Sequence, residues 1–121
     1  MDLHWKAVVV SFVISLIIPL VGPIIGGLIA GYMVGKSYIN GIVNGGIPAG
    51  IAGLIVIPLY WLLFGNLIIA QQISLGYTQP NAADINSVII YSTVVVFILY
   101  LILGIIFGVI GVAIKKWRNN T

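Results

Sequence analysis

Few side chains in this sequence belong to types that carry out acid–base, nucleophilic or metal chemistry. His4 is the single histidine, Asp2 lies two residues before it, and Asp84 is the only other acid. Catalysis by paired carboxylates or by an Asp–His pair needs a second group close to the first. The sequence also has no cysteine to act as a nucleophile or as a thiolate ligand. We therefore expect no enzyme activity, no metal and no cofactor, with His4 solvated near the start of the chain. The residues identify no known small-molecule substrate.

The uncharged polar residues offer hydrogen bonding instead of catalysis. Asn40 and Asn44 are four residues apart, so they share one face of a helix. They could bond across helices or line a small vestibule, and the first use is favoured. Asp84, Asn86 or Ser87 could cap the helix that follows them. The sequence has no phosphate-binding loop and no nucleic-acid-binding module, so we expect no nucleic-acid partner.

The composition indicates which solvent the elements face. Of the 121 residues, 61% are hydrophobic and 6% are charged, whereas a soluble domain is about half apolar and about a quarter charged. Because so few charged side chains cannot cover a surface in contact with water, the apolar side chains must face lipid. The predicted fold class is all-α, a polytopic transmembrane helical bundle that forms a single domain over residues 1–121, with the lipid bilayer as its partner.

The first apolar stretch, from Ala7 to Val34, has two interpretations. Pro19, Gly22 and Pro23 interrupt it, so it is either one kinked span or a hairpin of two short helices. The hairpin is favoured, because it places Lys6 and Lys36 on the same side as the cations after the last helix. Four helices follow from this choice, over residues of about 5–20, 24–38, 41–69 and 88–114, with an exposed loop at about 71–87.

The start of this stretch also has a pattern typical of a signal peptide, since Lys6 precedes a short apolar run. No cleavage site of the small-x-small type follows, and Pro19 and Pro23 are poor neighbours for a signal peptidase. We expect this segment to stay in the mature protein.

Charged and aromatic residues at the helix ends predict the topology. Cytoplasmic flanks are enriched in Lys and Arg, and Trp and Tyr favour the interfaces. We expect a multi-pass protein of the cell membrane with both termini cytoplasmic. Its anchors are Lys6, Lys36, Lys115, Lys116, Arg118, Trp5, Trp61 and Trp117. Tyr32 and Tyr100 do not fit this arrangement, because they fall in the middle of predicted spans.

Glycines spaced by four residues predict where helices approach closely. Such spacing puts small residues on one face, and close backbone approach supplies much of the packing between helices in lipid. The predicted helix-packing residues are Gly27, Gly31, Gly35, Gly46, Gly50, Gly104 and Gly108. They serve tight packing within one bundle, self-association, or the lining of a pore, and the first is favoured.

The segments VGPIIGGLIAGYMVG and NGIVNGGIPAGIAGLI, residues 21–35 and 40–55, carry a family resemblance. Together with Trp5 near the start, they resemble a family of small archaeal membrane proteins known only as a domain of unknown function, with a G-G-x-x-A-G-Y motif. The resemblance implies a multi-span fold in an archaeal membrane and carries over no catalytic residue. The favoured function is a structural or accessory membrane protein, self-associated or part of a larger complex. The alternative is a small oligomeric pore or transporter lined by Asn40, Asn44 and the glycine faces.

Overall fold

The computed structural model describes residues 3–18, 20–35, 37–76 and 82–119. Over these residues the chain forms helices and no strand, which confirms the predicted all-α class and the number of helices. The four helices are α1 (Trp5–Ile17), α2 (Gly22–Val34), α3 (Tyr38–Ser74) and α4 (Ala82–Asn119).

Proline and glycine set the ends of the two short helices. α1 ends at Ile17, earlier than predicted, because Ile18 precedes a proline and is extended, with φ −105° and ψ 105°. α2 begins at Gly22, earlier than predicted, because Pro23 fits the first turn of a helix, where its missing N–H removes no bond. Gly35 ends α2 in the left-handed conformation, with φ 49°, and its N–H bonds to the Gly31 carbonyl.

The two long helices extend beyond their predicted ends, so the predicted loop at 71–87 is wrong over much of its length. α3 continues to Ser74 and α4 begins at Ala82, which leaves residues 75–81 between them. Polar residues were interpreted as a loop, but polarity indicates exposure to water and does not end a helix. Asn86 and Ser87 therefore lie inside α4 and do not cap its start.

α1 and α2 form the predicted antiparallel hairpin. A Cβ added at Gly22 would lie 2.7 Å from the Ser15 Cα, and one added at Gly26 would lie 2.9 Å from the Ser11 carbonyl oxygen. Residue numbers therefore rise along α2 as they fall along α1. The structure shows this hairpin and not the single kinked span.

α3 and α4 form a second antiparallel hairpin, with the short one packed beside it. Gly41 lies against Gly108, whereas Gly53 lies against Phe97 and Tyr100, so α3 and α4 run in opposite directions. α2 runs parallel to α4 and contacts the other three helices. At 13 residues each, α1 and α2 are about 20 Å long, whereas α3 and α4, at 37 and 38 residues, are about 55 Å long.

One end of the bundle therefore collects the start of α1, the end of α2, the start of α3 and the end of α4. We call it the basic end, because it carries Lys6, Lys115, Lys116 and Arg118. The short hairpin covers only the half of the long hairpin that adjoins this end. It turns at the level of Tyr100, whose hydroxyl accepts a hydrogen bond from the Leu20 N–H at 3.0 Å.

The interior and the surface of the bundle differ from those of a soluble protein. The buried hydrophobic residues are mostly small, and they are joined by Ser11, Ser15 and Asn44, each fully buried. Many large apolar side chains lie outside, such as Leu62 with 82% of its surface exposed and Ile90 with 65%. Two helices, α3 and α4, are long and apolar enough to cross a membrane, whereas α1 and α2 are shorter than the roughly 20 residues that a span needs.

Candidate functional site

Glycine brings three helices together near the basic end. A Cβ added at Gly31 of α2 would overlap the carbonyl oxygen of Gly108 of α4, and one added at Gly108 would overlap the carbonyl oxygen of Gly41 of α3. Gly104 and Gly45 face each other in the same way one turn further along. Gly108 is thus packed between two other backbones, and any side chain there would push the helices apart.

The other predicted packing glycines have different surroundings. Gly27 lies against α4, where an added Cβ would be 3.1 Å from the Gly104 carbonyl oxygen. Gly46 and Gly50 face side chains of α4, namely Ile105, Leu101 and Phe97. On α3 the closest backbone approach is therefore at Gly41 and Gly45, which share a second four-residue spacing in the sequence.

Gly111 was missed as a packing residue, because it falls three residues after Gly108 and outside the strict spacing of four. An added Cβ there would overlap the Leu28 carbonyl oxygen on α2. Gly22 and Gly26 contact α1 beside Ser11 and Ser15, whose hydroxyl oxygens have no hydrogen-bond partner within the described part of the chain. Ser11 and Ser15 are four residues apart, and this spacing is the pattern in the sequence that could have predicted the face of α1 that contacts α2.

Asn44 of α3 makes one hydrogen bond to the start of α1 and one within its own helix. Its Oδ1 accepts from the His4 backbone N–H at 2.7 Å, and its Nδ2 donates to the Asn40 carbonyl at 2.8 Å. The favoured interpretation, a bond across helices, is confirmed for Asn44. His4 also caps α1, since its Nδ1 accepts from the Ala7 N–H at 3.2 Å. This role of His4 differs from the simple solvation expected for it.

At the basic end, cations lie over tyrosine rings. The Lys115 Nζ is 5.1 Å from the centroid of the Tyr32 ring, and the Arg118 Cζ is 5.9 Å from the same centroid. Arg118 also donates a hydrogen bond to the Tyr32 hydroxyl. Lys116 faces the other way, with its Nζ 4.2 Å from the centroid of the Tyr38 ring. Tyr32 was expected in the middle of a span, but α2 ends two residues after it, so its ring lies among the cations.

The remaining predicted anchors lie in both halves of the long hairpin. Lys6, Trp5 and Trp117 are exposed at the basic end, and each tryptophan has 70% of its surface exposed. Trp61 lies in the half of α3 beyond the short hairpin and is partly buried. Lys36 lies outside the described residues. Gly35, predicted as a packing glycine, makes room at this end for the stem of Lys115, whose Cδ would lie 2.7 Å from an added Cβ.

In the part of the chain that the structure describes, two apolar grooves open on the surface of the bundle. The first, of about 370 Å³, lies between α3 and α4 beyond the short hairpin, and among its lining residues are Tyr60, Trp61, Phe64 and Val88. The second, of about 280 Å³, lies between α2 and α4, and its lining includes Leu28, Tyr32, Met33 and Ile114. Among the described residues, no group of three His, Asp or Glu side chains that could hold a metal ion is present.

Comparison with known proteins identifies a family but no activity. The pattern of a family of unknown function, DUF5518, matches residues 5–114. No curated protein and no solved structure matches the chain significantly. The match runs from the first residue of α1 to within five residues of the end of α4, so it includes all four helices. The chain therefore belongs to the DUF5518 family.

Proposed function

We propose that this protein is an integral membrane protein with a structural or accessory role. In this proposal α3 and α4 cross the bilayer, the α1–α2 hairpin enters from the basic end and turns back inside it, and both termini are cytoplasmic. This arrangement replaces the four complete spans expected from the sequence and keeps the same orientation of the termini. The archaeal membrane implied by the family resemblance stays a prediction.

The observation that supports this proposal is that small residues fill the interior of the bundle, whereas many large apolar residues lie on its surface. In a soluble protein the largest apolar side chains fill the core, because removing their surface from water is favourable. Here only 22% of the most apolar stretch of α3, and the same share of α4, is buried inside the bundle. In lipid no such force acts between helices, so small residues at the contacts and large ones outside give the best packing.

The position of the hairpin turn supports partial entry into the bilayer. Tyr100, at the level of the turn, precedes Lys115 by 15 residues, which is about 22 Å along α4. A hydrocarbon core about 30 Å thick would therefore contain the turn. Non-helical backbone at that depth needs internal partners, and the Tyr100 hydroxyl supplies one to Leu20.

Self-association is proposed to use surfaces other than the glycines. Gly31, Gly41, Gly104 and Gly108 are occupied by contacts within the chain. The exposed half of the α3–α4 hairpin, with the groove beside Trp61, is the apolar surface left for a second copy or a larger complex. The pore alternative has less support, because Asn44 is fully buried and bonded to His4, where it cannot line a wet path.

Membrane extraction tests the proposal. Cells expressing the chain are lysed, and the membrane pellet is washed with sodium carbonate at high pH and then dissolved in mild detergent. We expect the protein to stay in the pellet after the carbonate wash and to require detergent for release. Recovery of a folded protein in the carbonate supernatant would contradict the proposal. The mass of the purified protein in detergent then distinguishes a monomer from an oligomer.

A further inference from the structure

We propose that the cleft between α2 and α4 at the basic end is a binding site for one anionic phospholipid. Lys115 and Arg118 would hold the headgroup phosphate, and the groove beside Met33 and Ile114 would hold part of an acyl chain. This inference rests on the proposed membrane location. It goes beyond that location, because it gives one cleft a ligand of defined chemistry.

The structure holds two positive charges close together at the mouth of the cleft. Lys115 and Arg118 are three residues apart on one face of α4, and both lie beside the ring of Tyr32 on α2. The stem of Lys115 passes over Gly35, where even a methyl group would displace it. The two cations therefore lie beside the same ring, and an anion between them would relieve their repulsion.

The chain itself has few carboxylates to neutralise this end. Its only acids are Asp2 and Asp84. Asp84 precedes Lys115 by 31 residues of α4, so about 46 Å separates them along the helix. Asp2 lies outside the described residues. The sequence therefore has fewer acidic side chains than this end has cations, namely Lys6, Lys115, Lys116 and Arg118, and this excess of positive charge favours an external anion.

The groove below the cations selects the kind of anion. Its lining consists of Leu28, Ile29, Tyr32, Met33, Gly111 and Ile114, and almost all of this lining is apolar. Tyr32 belongs both to the groove and to the cation cluster, so the two are continuous. Inorganic phosphate would fill only the charged part, whereas a phospholipid matches the phosphate position and the apolar groove together. Basic pockets between helices at the cytoplasmic face are typical sites of anionic lipids.

Tryptophan quenching by brominated lipids tests the site. Trp117 lies between Lys116 and Arg118, and a variant with Trp5→Phe and Trp61→Phe leaves it as the only tryptophan. This variant is placed in phosphatidylcholine bilayers with increasing fractions of brominated phosphatidylglycerol or brominated phosphatidylcholine. Each cation near an anionic lipid contributes roughly fivefold in affinity. We expect phosphatidylglycerol to quench Trp117 at a fraction roughly fivefold to 25-fold lower than phosphatidylcholine does.

Charge-matched variants separate a defined site from general attraction. Lys115→Gln with Arg118→Gln should abolish the preference for phosphatidylglycerol. Lys6→Gln with Lys116→Gln removes the same charge from the same end and should leave most of the preference. Met33→Phe, which fills the groove without changing charge, should weaken quenching by phosphatidylglycerol. An equal loss in both double variants, or no preference in the parent, would overturn the site, as would displacement of the lipid by millimolar inorganic phosphate.

A second reporter distinguishes failure of this site from failure of the membrane proposal. Trp61 lies far from the basic end, and in a variant with Trp5→Phe and Trp117→Phe it is the only tryptophan. Both brominated lipids should quench Trp61 equally. If both quench it but Trp117 shows no preference, the protein is in the bilayer and the lipid site is wrong. If neither lipid quenches Trp61, the membrane location itself is contradicted.

Discussion

At the scale of the residue, Gly108 is the position where a single methyl group should cost most. Its backbone lies against both Gly31 and Gly41, so an added Cβ meets main-chain atoms that cannot rotate away. Gly50 is a matched control on α3, because its added Cβ would meet only the side chains of Leu101 and Phe97, at 3.2 and 3.3 Å. These side chains can change rotamer, whereas a carbonyl of a packed helix can move only with its helix.

We therefore predict that Gly108→Ala destabilises the protein by about 2–3 kcal/mol, whereas Gly50→Ala changes its stability by less than about 1 kcal/mol. Alanine favours the helix over glycine by about 1 kcal/mol at both positions, so the difference between the variants reports packing. Unfolding by denaturing detergent, followed by circular dichroism, measures it. Equal stability of the two variants would show that the three-helix contact at Gly108 is not formed.

Asn44 provides the second prediction at this scale. Asn44→Leu removes the bonds to the His4 N–H and to the Asn40 carbonyl. A hydrogen bond between membrane helices contributes about 0.6 kcal/mol on average and up to about 2 kcal/mol. We expect a loss of stability in this range and faster hydrogen exchange at the start of α1. Asn66→Leu, at an exposed asparagine on the same helix, should change neither quantity. Unchanged exchange in α1 of Asn44→Leu would contradict the role of Asn44.

At the scale of the element, the turn of the short hairpin depends on α4. Leu20 has φ 64°, a left-handed conformation that is unfavourable for a residue with a side chain. Its N–H donates to the Tyr100 hydroxyl, and the Tyr100 side chain is otherwise buried, with 1% of its surface exposed. The hydroxyl therefore holds a strained turn against the middle of a long helix.

Tyr100→Phe removes this acceptor and keeps the ring. We predict a loss of about 1–3 kcal/mol, because the Leu20 N–H loses its partner in an apolar setting. Hydrogen exchange should also become faster around residues 18–22, while α3 and α4 stay protected. Tyr91→Phe is the control, since Tyr91 lies on the same helix with 74% of its surface exposed. If the two variants behave alike, the turn does not depend on Tyr100.

The elements also show how far the sequence predicts this fold. Pro19 and Pro23 predicted the break between α1 and α2, because proline restricts the backbone wherever it stands. The partner of Leu20 could not be predicted, since Tyr100 is 80 residues away and its spacing relates it only to α4. The spacing of the glycines indicated which helix faces are in contact. It could not distinguish the pair Gly41 and Gly45 from the pair Gly46 and Gly50, because both pairs are four residues apart. Only the rotation of α3 against α4 decides which of them meets backbone.

At the scale of the whole molecule, charge and surface agree on one orientation. The cations in the described residues lie at one end, although α1 and α4 bring them there from distant parts of the chain. The opposite end carries Leu75, exposed for 69% of its surface, beside the connection between α3 and α4. Between the two ends the surface is apolar, as at Ile106 with 47% exposed. The proposed bilayer around this middle section, with the basic end cytoplasmic, would account for all three features.

Cysteine accessibility in intact cells tests this orientation directly. The sequence has no cysteine, so Leu75→Cys, Ile106→Cys and Asn119→Cys each introduce a single reactive thiol. We predict that a membrane-impermeant maleimide labels Leu75→Cys in intact cells and labels Asn119→Cys only after the cells are permeabilised. Ile106→Cys should stay unlabelled until detergent removes the lipid. Labelling of Ile106→Cys as fast as Asn119→Cys in permeabilised cells without detergent would show that water, and not hydrocarbon, surrounds the apolar middle of the bundle.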